Sequence, residues 1–189
     1  MSTAGPDVAK EIVPQLKKAG AQFVEAPVLG SVGAVESGTL VVLGAGDDSA
    51  IDRALPVLQA LGEVRPTGSL GSAASLKLVA NSMLAGVTAV AAELQAAGTA
   101  SGLDPEDVFW AISRIAPVLN ARKAGLVEHR YEPVTFALRD IVKDLQLAID
   151  LFGRRTGAKT PVTRTAVELY ARAADSAGGE RHVRHRDAL

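Results

Sequence analysis

The sequence predicts a mostly α-helical fold with a short α/β start. Three observations carry this. Residues 1–69 alternate helical and strand-like runs broken by glycines, and beyond Gly68 every apolar run has helical spacing. Between them lies one stretch, GSLGSAASLKLVANSMLAGVTAVAAELQAA, from Gly68 to Ala97. It is a small-residue turn feeding a long apolar helix.

In order, Ser2–Asp7 is a loop with capping residues, and Val8, Ile12, Val13 and Leu16 mark a helix over Asp7–Ala19 that Gly20 stops. Gln22–Glu25 reads as a short strand entering a loop over Ala26–Gly38, and Thr39–Leu43 as a second strand. Acids at Asp47 and Asp48 open an amphipathic helix over Ala50–Leu61, and Gly62–Thr67 is a third strand or extended link. The long helix ends at Gly102. Asp104-Pro105-Glu106-Asp107 supplies an N-cap, Pro at the first helical position and acids in the first turn, with Val108, Phe109, Ile112 and Ile115 as the stripe. A less regular helix is expected over Val118–Tyr131. Thr135-Phe136 opens a longer one carrying Leu138, Ile141, Val142, Leu145 and Phe152, and Thr160-Pro161 opens the last, with Val162, Ala166, Leu169 and Tyr170 inward. After Ala177 the polar tail is expected to fray.

Composition narrows the chemistry. The 189 residues are 48% hydrophobic and 22% charged, as expected of a globular chain, and a net charge of -1 gives no general pull toward nucleic acid or anionic membrane. There is no cysteine, so disulfides, thiolate metal sites and cysteine nucleophiles are excluded. His129, His182 and His185 show no metal-binding spacing, and no metal site is expected. The start MSTAGPDVAKEI does not read as a signal peptide, and the run Leu76–Ala92, interrupted by Lys77, Asn81 and Ser82, reads as a buried helix rather than a membrane span. The cytoplasm is the expected compartment.

Lys77 and Asn81 are four apart, hence one above the other on a helix face. Leu76, Leu78, Val79, Met83 and Leu84 make the helix apolar nearly all round, which predicts burial between layers. A lysine there snorkels out, pairs, or works with an altered proton affinity. GAGDDS at Gly44–Ser49 follows a strand and precedes a helix, but lacks the third glycine of a dinucleotide fingerprint and puts two acids where a pyrophosphate needs bare N–H groups; an ordinary capped turn explains it. In FVEAPVLGSVGAVESGTL, Pro27 and Gly30-Ser31 can expose successive N–H groups to a carboxylate, although generic glycine-rich loops are commoner. Lys143 and Asp144 point about 100° apart on a helix, need not pair, and alone read as its solvated edge.

Taken together and in this order, Ser2-Thr3 with Pro6, Glu25–Leu40, Gly68 with Gly71, Lys77 with Asn81, and KDLQLA at Lys143–Ala148 resemble the β-hydroxyacid dehydrogenase family. That family includes 3-hydroxyisobutyrate dehydrogenase, tartronate semialdehyde reductase and the glyoxylate/succinic semialdehyde reductases, and EAPV with GTLVVLGAGD looks nearest the last branch. The resemblance implies a C-terminal remnant of an NAD(P)-binding Rossmann domain over residues 1–69. It implies a long interdomain helix with an all-α, 6-phosphogluconate-dehydrogenase-like domain over 70–177, and a flexible tail over 178–189. It implies NAD or NADP as cofactor and a small carboxylate-bearing substrate, with the site between the two domains. A homodimer or tetramer through the helical domain is also implied, with no nucleic-acid or membrane partner. By the same resemblance Lys77 is the catalytic acid/base and Asn81 orients it or the substrate. Leu29, Gly30 and Ser31 line the substrate carboxylate, and Thr3, Phe136, Lys143 and Asp144 attend the cofactor.

Two departures stand against it. Leu29 occupies a position where the family commonly has serine, which removes a hydroxyl from the substrate loop. The glycine fingerprint that precedes Ser-Thr in the family is absent, so the chain reads as truncated before Met1, with strands near Val24 and Val41 short of neighbours. A second reading is therefore carried: a non-catalytic helical module that folds by dimerisation and binds no cofactor alone. An imine reductase shares the architecture but usually has another proton donor where this chain has Lys77.

Overall fold

A computed structural model describes residues 3–132, 134 and 136–176. Ser2, Thr135, the two histidines at 182 and 185 and the tail expected to fray lie outside the described residues. The chain divides into two compact units, Met1–Ala80 and Asn81–Leu189.

The first unit opens with helix α1 (Asp7–Lys18) and then builds a small mixed sheet. Strands β1 (Val24–Glu25) and β2 (Val28–Leu29) both pair antiparallel with β3 (Leu40–Gly46). Val24 faces Gly46, Glu25 faces Ala45, Val28 faces Val42 and Leu29 faces Val41, so β1 and β2 are one strand in unbroken register, interrupted at Ala26-Pro27. Pro27 has no N–H to give the ladder, but its carbonyl still accepts from Leu43 N at 2.8 Å. On the other side β3 runs parallel to β4 (Gly62–Gly68), the two joined through helix α3 (Asp48–Gln59). The parallel pair with a helical crossover is the arrangement that the strand–helix–strand pattern predicts. One expectation needs correcting here. The strand near Val41 is not short of neighbours, because β3 is paired on both sides and Val42 is fully buried. The segment read as loop over Ala26–Gly38 also holds more structure than expected, namely β2 and the one-turn helix α2 (Val32–Glu36).

Alternation along β3 places helices on both faces of the sheet. Leu43 and Ala45 pack against Ala73, while on the opposite face a side chain at Gly44 would lie 3.5 Å from Ile51 of α3. Ala73 belongs to helix α4 (Ser72–Ala100).

The second unit is helical. After α4 come α5 (Pro105–Ile115), a 3-10 segment over Pro117–Arg122, the single turn α6 (Lys123–Leu126), α7 (Leu138–Thr156) and α8 (Pro161–Ser176). The Asp104 side chain caps α5 by accepting from Glu106 N and Asp107 N at 2.8 and 3.4 Å, as its position before Pro105 predicts. The irregular helix expected over Val118–Tyr131 is instead the 3-10 segment with a helical turn that ends at Leu126. Helix α7 starts at Leu138, two residues after Phe136. The core joins Ala85 and Ala89 of α4 to Leu138, Ile141 and Leu145 of α7 and Ala166, Tyr170 and Ala173 of α8. Each of the fully buried leucines contributes on the order of 1.5–3 kcal/mol. Ile115 (89% exposed) and Val162 (71%) lie outside that core, contrary to the stripes assigned to their helices.

Helix α4 also corrects the expectation of burial all round. Leu78, Ala85, Ala89 and Ala91 are buried, but Leu76, Val79, Met83, Val90 and Leu94 are 45–67% exposed. Its packed face is built largely of alanines and its open face carries the larger side chains. Periodicity could not reveal this division, because both faces are apolar.

Candidate active site

In the first unit the geometry begins at Gly71. Its carbonyl accepts from Ser75 N at 3.0 Å, which makes it the N-cap of α4, and its φ of +95° with Pro6 packed 3.4 Å from the place of a side chain suits glycine alone. A glycine cap has no side chain for the first N–H groups of the helix. Those are met by Glu25, buried at the end of β1: Gly71 N donates to Oε1 at 2.8 Å and Ala74 N to Oε2 at 3.3 Å. Thr67 seals the entry by donating to Gly44 O and sharing a hydrogen bond with Ser72 Oγ, each at 3.1 Å. Lys77 follows on the second turn and is half-buried. At the end of β2, Leu29 packs on the Leu43–Ala45–Ala73 cluster, so its side chain is committed to the core. Gly30, with φ +128°, turns where a Cβ would meet Leu40 Cδ2 at 2.7 Å, and Gly30 and Ser31 are exposed. Thr3 is half-buried in the same unit.

In the second unit Asn81, one turn of α4 beyond Lys77, donates from Nδ2 to Asp144 Oδ2 at 2.6 Å; both residues are buried. Lys143 Nζ lies 3.2 Å from Asp144 Oδ1. The pair expected to diverge as a solvated helix edge is therefore an ion pair, and Asp144, 2% exposed, points inward. Their Cα vectors do diverge, but the long lysine stem reaches back across the helix surface. Oδ1 accepts no aligned hydrogen bond. The structure thus brings Asn81, Lys143 and Asp144 together around one carboxylate. Phe136 packs on the same core and lines a small pocket with Leu84, Thr88, Arg122, Ile141 and Tyr170.

That pocket also holds Tyr170, which the spacing turned inward, and Arg122, which it did not single out. Tyr170 donates to Ala85 O at 2.9 Å, and burial pushes its phenol up to about 12. Burial likewise holds the Arg122 guanidinium below its ordinary value. The placement of Glu25 was not anticipated either; the signal available was an acid ahead of Pro27 combined with a helix start that lacks a capping side chain. Among the described residues no group of three His, Asp or Glu side chains could hold a metal ion.

Comparison with known proteins bears on this geometry. Residues 71–185 match the family model described as the NAD-binding domain of NADP-dependent 3-hydroxyisobutyrate dehydrogenase. Residues 1–71 match the NAD binding domain of 6-phosphogluconate dehydrogenase. The chain belongs to the β-hydroxyacid dehydrogenase family. Within it, the chain is 34% identical to glyoxylate/succinic semialdehyde reductase 2, chloroplastic, of Arabidopsis thaliana over 87% of this chain and 47% of that protein. It is 33% identical to mitochondrial 3-hydroxyisobutyrate dehydrogenase of Rattus norvegicus over 85% of this chain and 50% of that protein. The crystal structure of 3-hydroxyisobutyrate dehydrogenase from Salmonella typhimurium matches with a TM-score of 0.84 at 26% identity, over 99% of this chain and 66% of that one. The chain spans about half the length of the curated relatives it matches.

Proposed function

We propose that this β-hydroxyacid dehydrogenase chain serves NAD(P)-dependent interconversion of a small carboxylate-bearing aldehyde and its alcohol, with Lys77 as general acid/base. The observation that carries the reading is the buried Asn81–Asp144 hydrogen bond, one turn of α4 from Lys77. Two polar side chains in a core otherwise filled by Leu, Ile, Ala and Tyr cost desolvation that packing does not repay, which favours a role in chemistry.

The residues present suit part of a nicotinamide cofactor. The buried Asp144 Oδ1, with no aligned donor, fits a ligand that brings one, as an amide N–H or a ribose hydroxyl does. Lys143, Asp144 and Phe136 are the residues that would hold that end. The pyrophosphate finds less: the described helix starts of α1, α3 and α4 carry Asp7, Asp48 and the Glu25 carboxylate, each a poor neighbour for phosphate. When bound, the nicotinamide supplies or accepts the hydride. The Lys77 ammonium donates a proton to the carbonyl oxygen as negative charge grows there, and as a neutral amine takes it back in the alcohol direction. Asn81, whose amide donates to Asp144, is the residue proposed to orient the lysine or the substrate. The backbone at Gly30-Ser31 offers N–H groups to the substrate carboxylate. The relatives' names make glyoxylate and succinic semialdehyde the first substrates to try. The experiment is steady-state reduction of both by the native protein that carries this sequence, with NADH and NADPH, beside its Lys77→Ala variant.

The open face of α4 favours a second reading that is compatible with the first, self-association through the helices. Leu76, Val79, Met83 and Val90 recur at near-heptad spacing and are all exposed, the pattern of a seam that another helix covers. A second copy is the expected occupant. Light scattering should give a dimer or larger species that Met83→Glu dissociates; a wild-type monomer at micromolar concentration contradicts it.

A further inference from the structure

We propose that Glu25 is a positioning residue: its carboxylate holds the first turn of α4 in fixed relation to the strand that leads into Gly30-Ser31, and so sets where Lys77 stands. The inference rests on the role proposed for Lys77, but its test does not. The bonds from Gly71 N and Ala74 N reach one carboxylate from two ends of the same helical turn, one to each oxygen. In an ordinary capping box those two donors are met by two side chains of the helix's own first turn. Here the N-cap is glycine, and one acid 46 residues away from Gly71 meets both.

Glu25 is itself held. It pairs with Ala45, and paired residues present their side chains to one face, the face on which Ala73 packs. Its strand continues through Ala26-Pro27 into β2 without change of register, and β2 ends at Leu29, next to Gly30. On the helix side, Ala74 and Lys77 are three apart and share a face. One side chain therefore joins the two pieces of the first unit to which proton transfer and carboxylate binding are assigned. Negative charge at a helix start also favours the bond electrostatically. A neutral glutamine could accept from one of the two N–H groups through its single oxygen, and its amide would face the other donor.

The test uses the 189-residue chain with lysines labelled with carbon-13, the Lys77 Cε–Hε signal being assigned by Lys77→Arg. In Glu25→Gln, and to a smaller extent in Glu25→Asp, the Lys77 signal should move toward that of exposed lysines and sharpen, while Lys10, Lys17 and Lys18 keep theirs. Amide exchange at Gly71 and Ala74 should quicken about tenfold or more. Leu58→Ala, a core change in the same unit, controls for lost stability and should leave the Lys77 signal in place. An unmoved Lys77 signal in Glu25→Gln, or an equal movement in Leu58→Ala, overturns the proposal. Turnover of Lys77→Ala reports separately on the lysine's chemistry, so either idea can fail without the other.

Discussion

Among the described residues the two units each bury one carboxylate beside α4, and they use it differently. Glu25 in the first unit is bonded to main-chain N–H groups, whereas Asp144 in the second holds the side chains of Asn81 and Lys143. An acid on backbone donors fixes a helix and leaves nothing over for a ligand. An acid on side chains orients groups that can themselves act, and Asp144 keeps one oxygen without an aligned donor. The first arrangement is architecture beneath the lysine proposed as acid/base, and the second is a cluster of side chains that a ligand could still engage.

The comparison breaks most directly at Asp144. Asp144→Ala leaves the buried Asn81 amide without its acceptor and should cost the second unit about 2–3 kcal/mol, read as a lower midpoint in urea. Asp144→Asn, which keeps an oxygen for Asn81, should lose less. Equal losses would mean the carboxylate charge, not the hydrogen bond, matters there.

Tyr170 sharpens the contrast, since this buried group of the second unit donates to a backbone carbonyl and must stay neutral to do so. Its phenol is raised to about 12 by burial, so its contribution is whole below the ordinary value near 10 and is lost as pH rises through 12. Between pH 9 and 12 the chain should lose about 2 kcal/mol on this account, and Tyr170→Phe should flatten that alkaline limb of the melting curve. The smallest effect belongs to the clamp at Glu25. Substitution by Gln should cost about 1 kcal/mol, within the range of a lost helix cap, with its main consequence in the placement of Lys77.

Much of the fold was legible because local chemistry and global structure agree. The Asp104-Pro105 cap and the starts of α1 and α8 stand where capping residues and prolines put them, and the strand expected over Thr39–Leu43 is present but runs on through Gly46, past the residues read as a turn. What escaped was tertiary. Nothing in the spacing of Lys143 and Asp144 says which of the two turns inward, because a neighbouring helix decides it. Glu25 reads in the sequence only as the end of a short strand, since its partners lie 46 and 49 residues away and are backbone atoms. The apolar circumference of α4 concealed a packed alanine face and an open face of larger side chains. Among the candidate site residues, the motifs located Lys77 and Asn81 on one helix face, while the ion pair and the pocket beside Phe136 needed coordinates.

The role proposed for Lys77 is the central claim about what the chain does. The most direct measurement is kcat/KM for reduction of glyoxylate and succinic semialdehyde by the native protein and its Lys77→Ala variant, at matched folded fraction. Loss of a general acid predicts a fall of roughly 10²–10⁴-fold in the variant. Equal rates in the two proteins would contradict the account.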